Sequence, residues 1–418
     1  MNKVFCTTIV SLVLTFTASA QHNSITGMRP DAPELAVQGS YKIGVRTVQL
    51  SHKNQIDAVS VKTDQALPFY DRPLTIEVWY PADTELKGGE YKNVLLRDAK
   101  TRVSLFGSAV RDAEPLVGEQ AYPLIVISHG YPGNRYLMSH FGENLASKGY
   151  VVVSIDHTDS LYKDAAAFHS TLLNRPLDQK FVLEEMQIMS EDDGHFLYQM
   201  VDAHNAGLMG YSMGGYGAII SAGGGLTKAS VEVKEISPNG ILKRIMAGSS
   251  EHEAIVDGGF KAIVAIAPWG MERGLWDDQA LSAIRVSILF MSGSEDKTSG
   301  YEAGTRLLFE KSKNIDRYLL TFDNADHNAI APIPAPEESW SSDAYTHYTD
   351  MVWDSVRANN IAQHFVTAYF GKMLKKNSEM DAYLNLIPDS NSGSGDTNWK
   401  GFKPRTAKGL ILEYLPKE

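Results

Sequence analysis

The run Gly210-Tyr211-Ser212-Met213-Gly214-Gly215 constrains this chain more than any other stretch. The apolar residues Ala206 to Met209 precede it, and Tyr216-Gly217-Ala218-Ile219-Ile220 follows. The pattern predicts a buried strand, a sharp turn and a helix. Such a turn lifts a serine hydroxyl off the end of a sheet, and it needs glycines because the backbone is pinched there. The spacing G-x-S-x-G makes Ser212 the candidate nucleophile; the alternative is a glycine-rich turn with a bystander serine.

An acyl-transfer serine needs a base to take its proton and a carboxylate to orient that base. In a parallel sheet the acid is expected after a late strand and the histidine after the last one. The predicted strand Val286 to Met291 runs into Ser292-Gly293-Ser294-Glu295-Asp296, and Arg317 to Phe322 runs into Asp323-Asn324-Ala325-Asp326-His327. Asp296 and His327 are therefore the candidate acid and base, with Glu295 the fallback acid. The developing oxyanion needs two backbone donors. Met213, next after the serine, supplies one, and the loop His129-Gly130-Tyr131 after an early strand supplies the other, at Tyr131. His129 sits within that turn, where a structural role is expected. Trp269 lies just past a strand end, either as a substrate-binding wall or as a core aromatic. His157 and Asp159 either line the rim of the site or, the preferred reading, lie in a solvated loop.

The rest of the chain supports an α/β class. Tyr41 to Leu50 and Leu74 to Tyr80 read as strands of an antiparallel edge, separated by a turn signal at Asp71-Arg72-Pro73. Residues 85–120 are mixed, with a short helix expected from Arg102 to Val110. Leu124 to Ser128, a helix from Phe141 to Lys148, and Val151 to Ile155 form a βαβ unit, hence a parallel sheet buried on both faces. Residues 160–200 read as an insertion with helical spacing at Leu177, Phe181, Glu184 and Ile188. Residues 223–257 read as a second insertion with a helix from Asn239 to Ala247. Lys261 to Ala267 is a further buried strand, and a long helix is expected from Asp350 to Leu374. The expected organisation is one domain over 40–385 and a C-terminal extension over 386–418, which includes the apolar segment Leu410 to Leu415.

The first twenty residues read as a signal peptide: Lys3, an apolar run from Val4 to Phe16, then Ala18-Ser19-Ala20. Its removal would take away Cys6, the only cysteine in the chain, so no disulfide is expected despite an oxidising destination. The apolar run is too short to span a bilayer, and no later run is long enough. A periplasmic or secreted location follows. The formal net charge of −11 argues against nucleic acid and anionic membrane surfaces as main partners. No metal-binding or nucleotide-binding motif is present, so no metal or cofactor is expected. Oligomeric state is left open.

Together, Glu77-Val78-Trp79-Tyr80-Pro81, Ser128-His129-Gly130, the Ser212 turn, Ala267-Pro268-Trp269 and Asp326-His327 resemble the α/β-hydrolase superfamily. The resemblance is to the branch of platelet-activating-factor acetylhydrolases, dienelactone-hydrolase-like esterases and polyester hydrolases. It implies a mostly parallel central sheet flanked by helices, in a single domain with insertions. It also implies a serine hydrolase acting on small-molecule or lipid-like carboxylic esters through a Ser-His-Asp triad and an acyl-enzyme. Dienelactone hydrolases proper use a cysteine nucleophile, which favours the serine esterases here. An amidase, an acyltransferase or a non-catalytic binder on the same fold are the alternatives.

Overall fold

Two long strands start the sheet, the second of them buried without a break from Ile76 to Ala82. β1 (Lys42–Ile56) and β2 (Phe69–Asp83) pair antiparallel, with Lys42 opposite Ala82 and Leu50 opposite Leu74. The turn expected at Asp71-Arg72-Pro73 is not formed: these residues lie inside β2. Pro73 is tolerated because the ladder of β2 with its other long neighbour begins only at Thr75. Arg72 is drawn inward by Asp178. β3 (Glu90–Leu95) and β4 (Arg102–Phe106) form a separate two-stranded sheet. The helix expected from Arg102 is thus a strand, because Val103 and Leu105 alternate inward with period two. β5 (Val110–Arg111) and β6 (Glu114–Pro115) are short edge pieces.

This computed structural model describes residues 22–165, 167–257, 259–392 and 399–418. The expected signal peptide lies outside them. β7 (Tyr122–Ser128), α1 (Ser139–Ala146) and β8 (Val151–Asp156) make the first βαβ unit. Then follow α2 (Phe168–Glu191), β9 (Val201–Tyr211), α3 (Met213–Ser221), β10 (Ala262–Ile266), β11 (Ile288–Gly293), β12 (Arg317–Phe322), α4 (Ser355–Met373) and β13 (Leu410–Leu415). The main sheet runs β13-β12-β11-β10-β9-β7-β8-β2-β1-β5, with β6 added beside β2. It is parallel from β8 to β12. This is the α/β-hydrolase fold expected from the resemblance. The segment expected as a C-terminal extension contributes β13, antiparallel to β12.

Both faces of the sheet are buried. Ile125 and Ile127 pack with Phe141 of α1 and Phe365 of α4, while Leu124 and Val126 pack with Leu172 of α2 and Ile219 of α3. That two-sided burial is why the parallel strands read as unbroken apolar runs. α4 starts later than expected, at an N-cap where the Asp354 side chain accepts from Arg357 N–H, and Val352 stays exposed. The helix expected from Asn239 is a 3-10 run, Pro238–Ile245, because Asn239 and Gly240 both take positive φ.

α2 is longer than its apolar spacing indicated, and its buried face is rotated. Arg175, Asp178, Val182, Met186 and Met189 point inward, while Glu184 and Ile188 are exposed. Pro176 sits inside it and cannot donate to Leu172 O. The Tyr216 hydroxyl of α3 donates to that carbonyl instead, at 3.1 Å. Gln179 donates to Gly214 O at 3.1 Å, so α2 is tied to the turn that carries Ser212.

Candidate active site

β7 and β9 are neighbours, while β8 lies on the far side of β7. The strand order therefore reverses between β7 and β9, and the carboxyl ends of the two strands flank a crevice of the kind that binds ligands in open α/β sheets. The loop 129–131 leaves β7 and Ser212 leaves β9, with Ser128 paired opposite Gly210.

Ser212 has φ 53° and ψ −112°, a conformation strained for any residue with a side chain. It is held by its surroundings. Its N–H donates to Ile266 O at 2.9 Å, and its carbonyl accepts from Tyr216 N–H at 2.9 Å and Trp269 N–H at 3.2 Å. The glycines make the turn possible. A Cβ at Gly214 would lie 1.9 Å from Ser128 O, and one at Gly210 would lie 2.2 Å from Gly214 O.

The Ser212 Oγ lies 3.0 Å from His327 Nε2, and His327 Nδ1 lies 2.9 Å from Asp296 Oδ2. All three side chains are buried, and Ser212 keeps 6 % of its surface open. An ionised carboxylate only accepts, so Asp296 places the proton on Nδ1 and turns the Nε2 lone pair toward the serine hydroxyl. Burial opposes ionisation of Asp296. Hydrogen bonds from His327 and from Ser299 and Thr298 N–H, both 2.9 Å from Oδ1, outweigh it and hold the carboxyl below its ordinary value. Glu295, the fallback acid, is exposed. Tyr211 braces the histidine loop: its hydroxyl donates to Asn328 Oδ1 at 2.6 Å, and its ring lies 5.2 Å from that of His327.

Met213 is the first residue of α3, and Tyr131 follows Gly130, whose built Cβ would lie 3.4 Å from Ser212 Cβ. Among the described residues neither Met213 N–H nor Tyr131 N–H has a protein acceptor. Trp269 is half-buried, next to Ser212, with its ring 5.3 Å from Phe168, which in turn lies 5.3 Å from Tyr131. These three partly exposed rings form a continuous aromatic row beside Ser212. Among the described residues no group of three metal-ligating side chains is assembled.

His157 is not in a solvated loop. It is buried, with Nε2 2.9 Å from Ser128 Oγ and Nδ1 2.9 Å from Asp178 Oδ2. This repeats the Ser-His-Asp connectivity in the interior, with Ser128 fully covered, so no substrate can reach it. Burial and the Arg175 cation push His157 down to about 3, so it stays neutral. Burial alone would raise Asp178, but the two-pronged contact from Arg72 and the bond to His157 hold it well below the ordinary range. His129 is buried against Gly130 O and Arg175, as expected of a structural residue. Arg175, Asp178, Ser160 and Phe168 escaped sequence reasoning, which read Ser128 only as a strand end and part of a motif. The one available signal was the i, i+3 pair Arg175 and Asp178 on an otherwise helical stretch.

A family model described as platelet-activating factor acetylhydrolase, isoform II, matches residues 31–193, a span that includes Tyr131 and stops short of Ser212. The chain is similar to cutinase est1 of Thermobifida alba, 34% identical over 98 residues, covering 23% of this chain and 29% of the relative. It is similar to a platelet-activating factor acetylhydrolase of Cavia porcellus, 28% identical over 142 residues and covering 32% of each chain. Cutinase 2 of Thermobifida cellulosilytica is 32% identical over 98 residues, 23% of this chain and 33% of the relative. The matched segments thus span about a third of these relatives' length. They fall in the branch of hydrolases that the motifs resemble.

Proposed function

We propose that this protein is a serine hydrolase of carboxylic esters. The observation that carries the reading is the unbroken hydrogen-bonded chain Ser212–His327–Asp296 at the carboxyl edge of a parallel sheet. Ser212 attacks the ester carbonyl while His327 Nε2 takes its proton. Asp296 steadies the imidazolium that forms. The tetrahedral oxyanion accepts from Met213 and Tyr131 N–H, each such donor contributing roughly a hundredfold to a thousandfold in rate. His327 returns the proton to the leaving alcohol, and water then repeats the sequence on the acyl-enzyme.

The similarity to cutinases and acetylhydrolases supports an ester over an amide. The aromatic row of Tyr131, Phe168 and Trp269 supports a short or sterically accessible acyl group on a small or lipid-like molecule. The first twenty residues support export, to the periplasm or beyond the cell.

The test is turnover of p-nitrophenyl acetate with fluorophosphonate labelling. Ser212→Ala should lower kcat by several orders of magnitude with the fold intact. The probe should attach at Ser212 and not at the covered Ser128. Near-normal turnover by the variant, or a wild-type protein that is neither labelled nor active on any ester, would remove the reading.

A further inference from the structure

We propose that Arg175 is a positioning residue that sets the direction of the oxyanion-binding peptide between Gly130 and Tyr131. The inference rests on the esterase reading above. Arg175 is buried on the inner face of α2, at 1 % exposure. Among the described residues its guanidinium makes no hydrogen bond to a carboxylate, and Asp178 acts on it only through its charge. Asp178, three residues on, has its oxygens engaged by Arg72 and His157. Arg175 instead donates from one prong to His129 O, with Ser128 Oγ at 3.5 Å. The other prong donates to Gly130 O at 3.0 Å and Ser160 Oγ at 2.5 Å, with His129 Nδ1 at 3.5 Å. Its Nε has no partner among the described residues.

The two carbonyls belong to consecutive peptide units. In a planar trans unit the C=O and the N–H point in opposite directions. A cation that grips His129 O and Gly130 O from the α2 side therefore turns the N–H groups of Gly130 and Tyr131 to the opposite side of the loop. The loop lies close to the Ser212 turn: a Cβ placed on Gly130 would lie 3.4 Å from Ser212 Cβ and 3.1 Å from the Tyr211 ring. The positive charge behind the carbonyls also polarises both units with their N–H ends toward the reacting carbonyl, in a water-poor interior where such fields act strongly. Two adjacent carbonyls call for a planar, two-pronged donor, which arginine has and lysine lacks. A buried cation with no carboxylate bonded to it is destabilising, and this geometry gives it a use. The alternative is that Arg175 only fills and neutralises the polar interior, in which case it would stabilise the fold without favouring the transition state.

The experiment compares wild type, Arg175→Lys and Arg175→Gln on p-nitrophenyl acetate, and measures the affinity of each for phenylboronic acid, which forms a tetrahedral adduct on the serine. Expected for Arg175→Lys is a fall in kcat of roughly a hundredfold, the loss typical of one oxyanion donor, with KM within a few-fold. Boronate affinity should fall in step with kcat. Wild-type kcat in a folded variant, or a lowered kcat with unchanged boronate affinity, overturns the proposal. Should both Arg175 variants fail to fold, Ser160→Ala decides. It frees the prong that holds Gly130 O, and kcat and boronate affinity should fall together several-fold; wild-type values of either overturn it. A wild-type protein inert to esters and to fluorophosphonate would instead remove the esterase reading itself.

Discussion

Asp296 shows how one oxygen decides the state of another residue's proton. Its Oδ1 accepts from Thr298 and Ser299 N–H, so it must remain an oxygen, and Oδ2 alone faces His327. In Asp296→Asn the same two N–H groups would keep the amide oxygen at Oδ1 and present the amide nitrogen to the imidazole. The imidazole would then carry its proton on Nε2 and could not take one from Ser212. We expect kcat/KM for p-nitrophenyl acetate to fall on the order of a thousandfold or more, with Glu295→Gln close to wild type because that side chain is exposed. If Glu295→Gln is the damaging change, the acid is misassigned. The three candidate residues were legible because each follows a strongly apolar strand. His157 was misread because the loop sequence Asp156-His157-Thr158-Asp159 is polar throughout, and its partners Ser128 and Asp178 come from other elements.

α2 is the element that sequence patterning described least well. Its inner face carries Ser170, Asn174, Arg175, Asp178 and Gln179, all buried, so its periodicity is hidden by polar residues that are satisfied only in the folded state. It packs against α3 and the Ser212 turn, and it places Phe168 beside Tyr131 and Trp269. Phe168 joins Tyr131 and Trp269 into a continuous row. Its replacement by alanine should leave acetate turnover within a few-fold and raise relative kcat/KM for butyrate and hexanoate esters by about tenfold. That is the scale on which one or a few methylenes are discriminated by an apolar pocket. An unchanged acyl-length profile would show that another residue sets the limit.

Across the whole molecule, burial of imidazoles ties stability to pH. His140, His157, His347 and His364 are pushed from 6.5 down to about 3 by burial, and His129 well below its ordinary value. The unfolded chain therefore takes up these protons first, so stability falls as pH drops below 6.5 and keeps falling toward about 3. Each such group contributes up to about 1.4 kcal/mol per pH unit. The depressed carboxyls of Asp178 and Asp296 act lower. Their stabilisation is complete above 3.8 and is lost as pH falls through their folded-state values. Tm should therefore drop by on the order of ten degrees between pH 7 and pH 5, before those carboxylates titrate. A flat Tm over that range would show that the imidazoles gain protons without unfolding.

By itself the sequence determined the parallel strands, the serine turn and the order of the candidate serine, acid and histidine. These are local signals: unbroken apolar runs, and glycines where a side chain would collide with backbone. Tertiary structure alone decided which carboxylate faces His327, that β13 closes the sheet edge, and that Arg175, Asp178 and His157 form a shared buried network beneath the crevice. A polar side chain carries no mark of burial in the sequence. Its partners come from segments far away in the chain, and only folding brings them within hydrogen-bond distance.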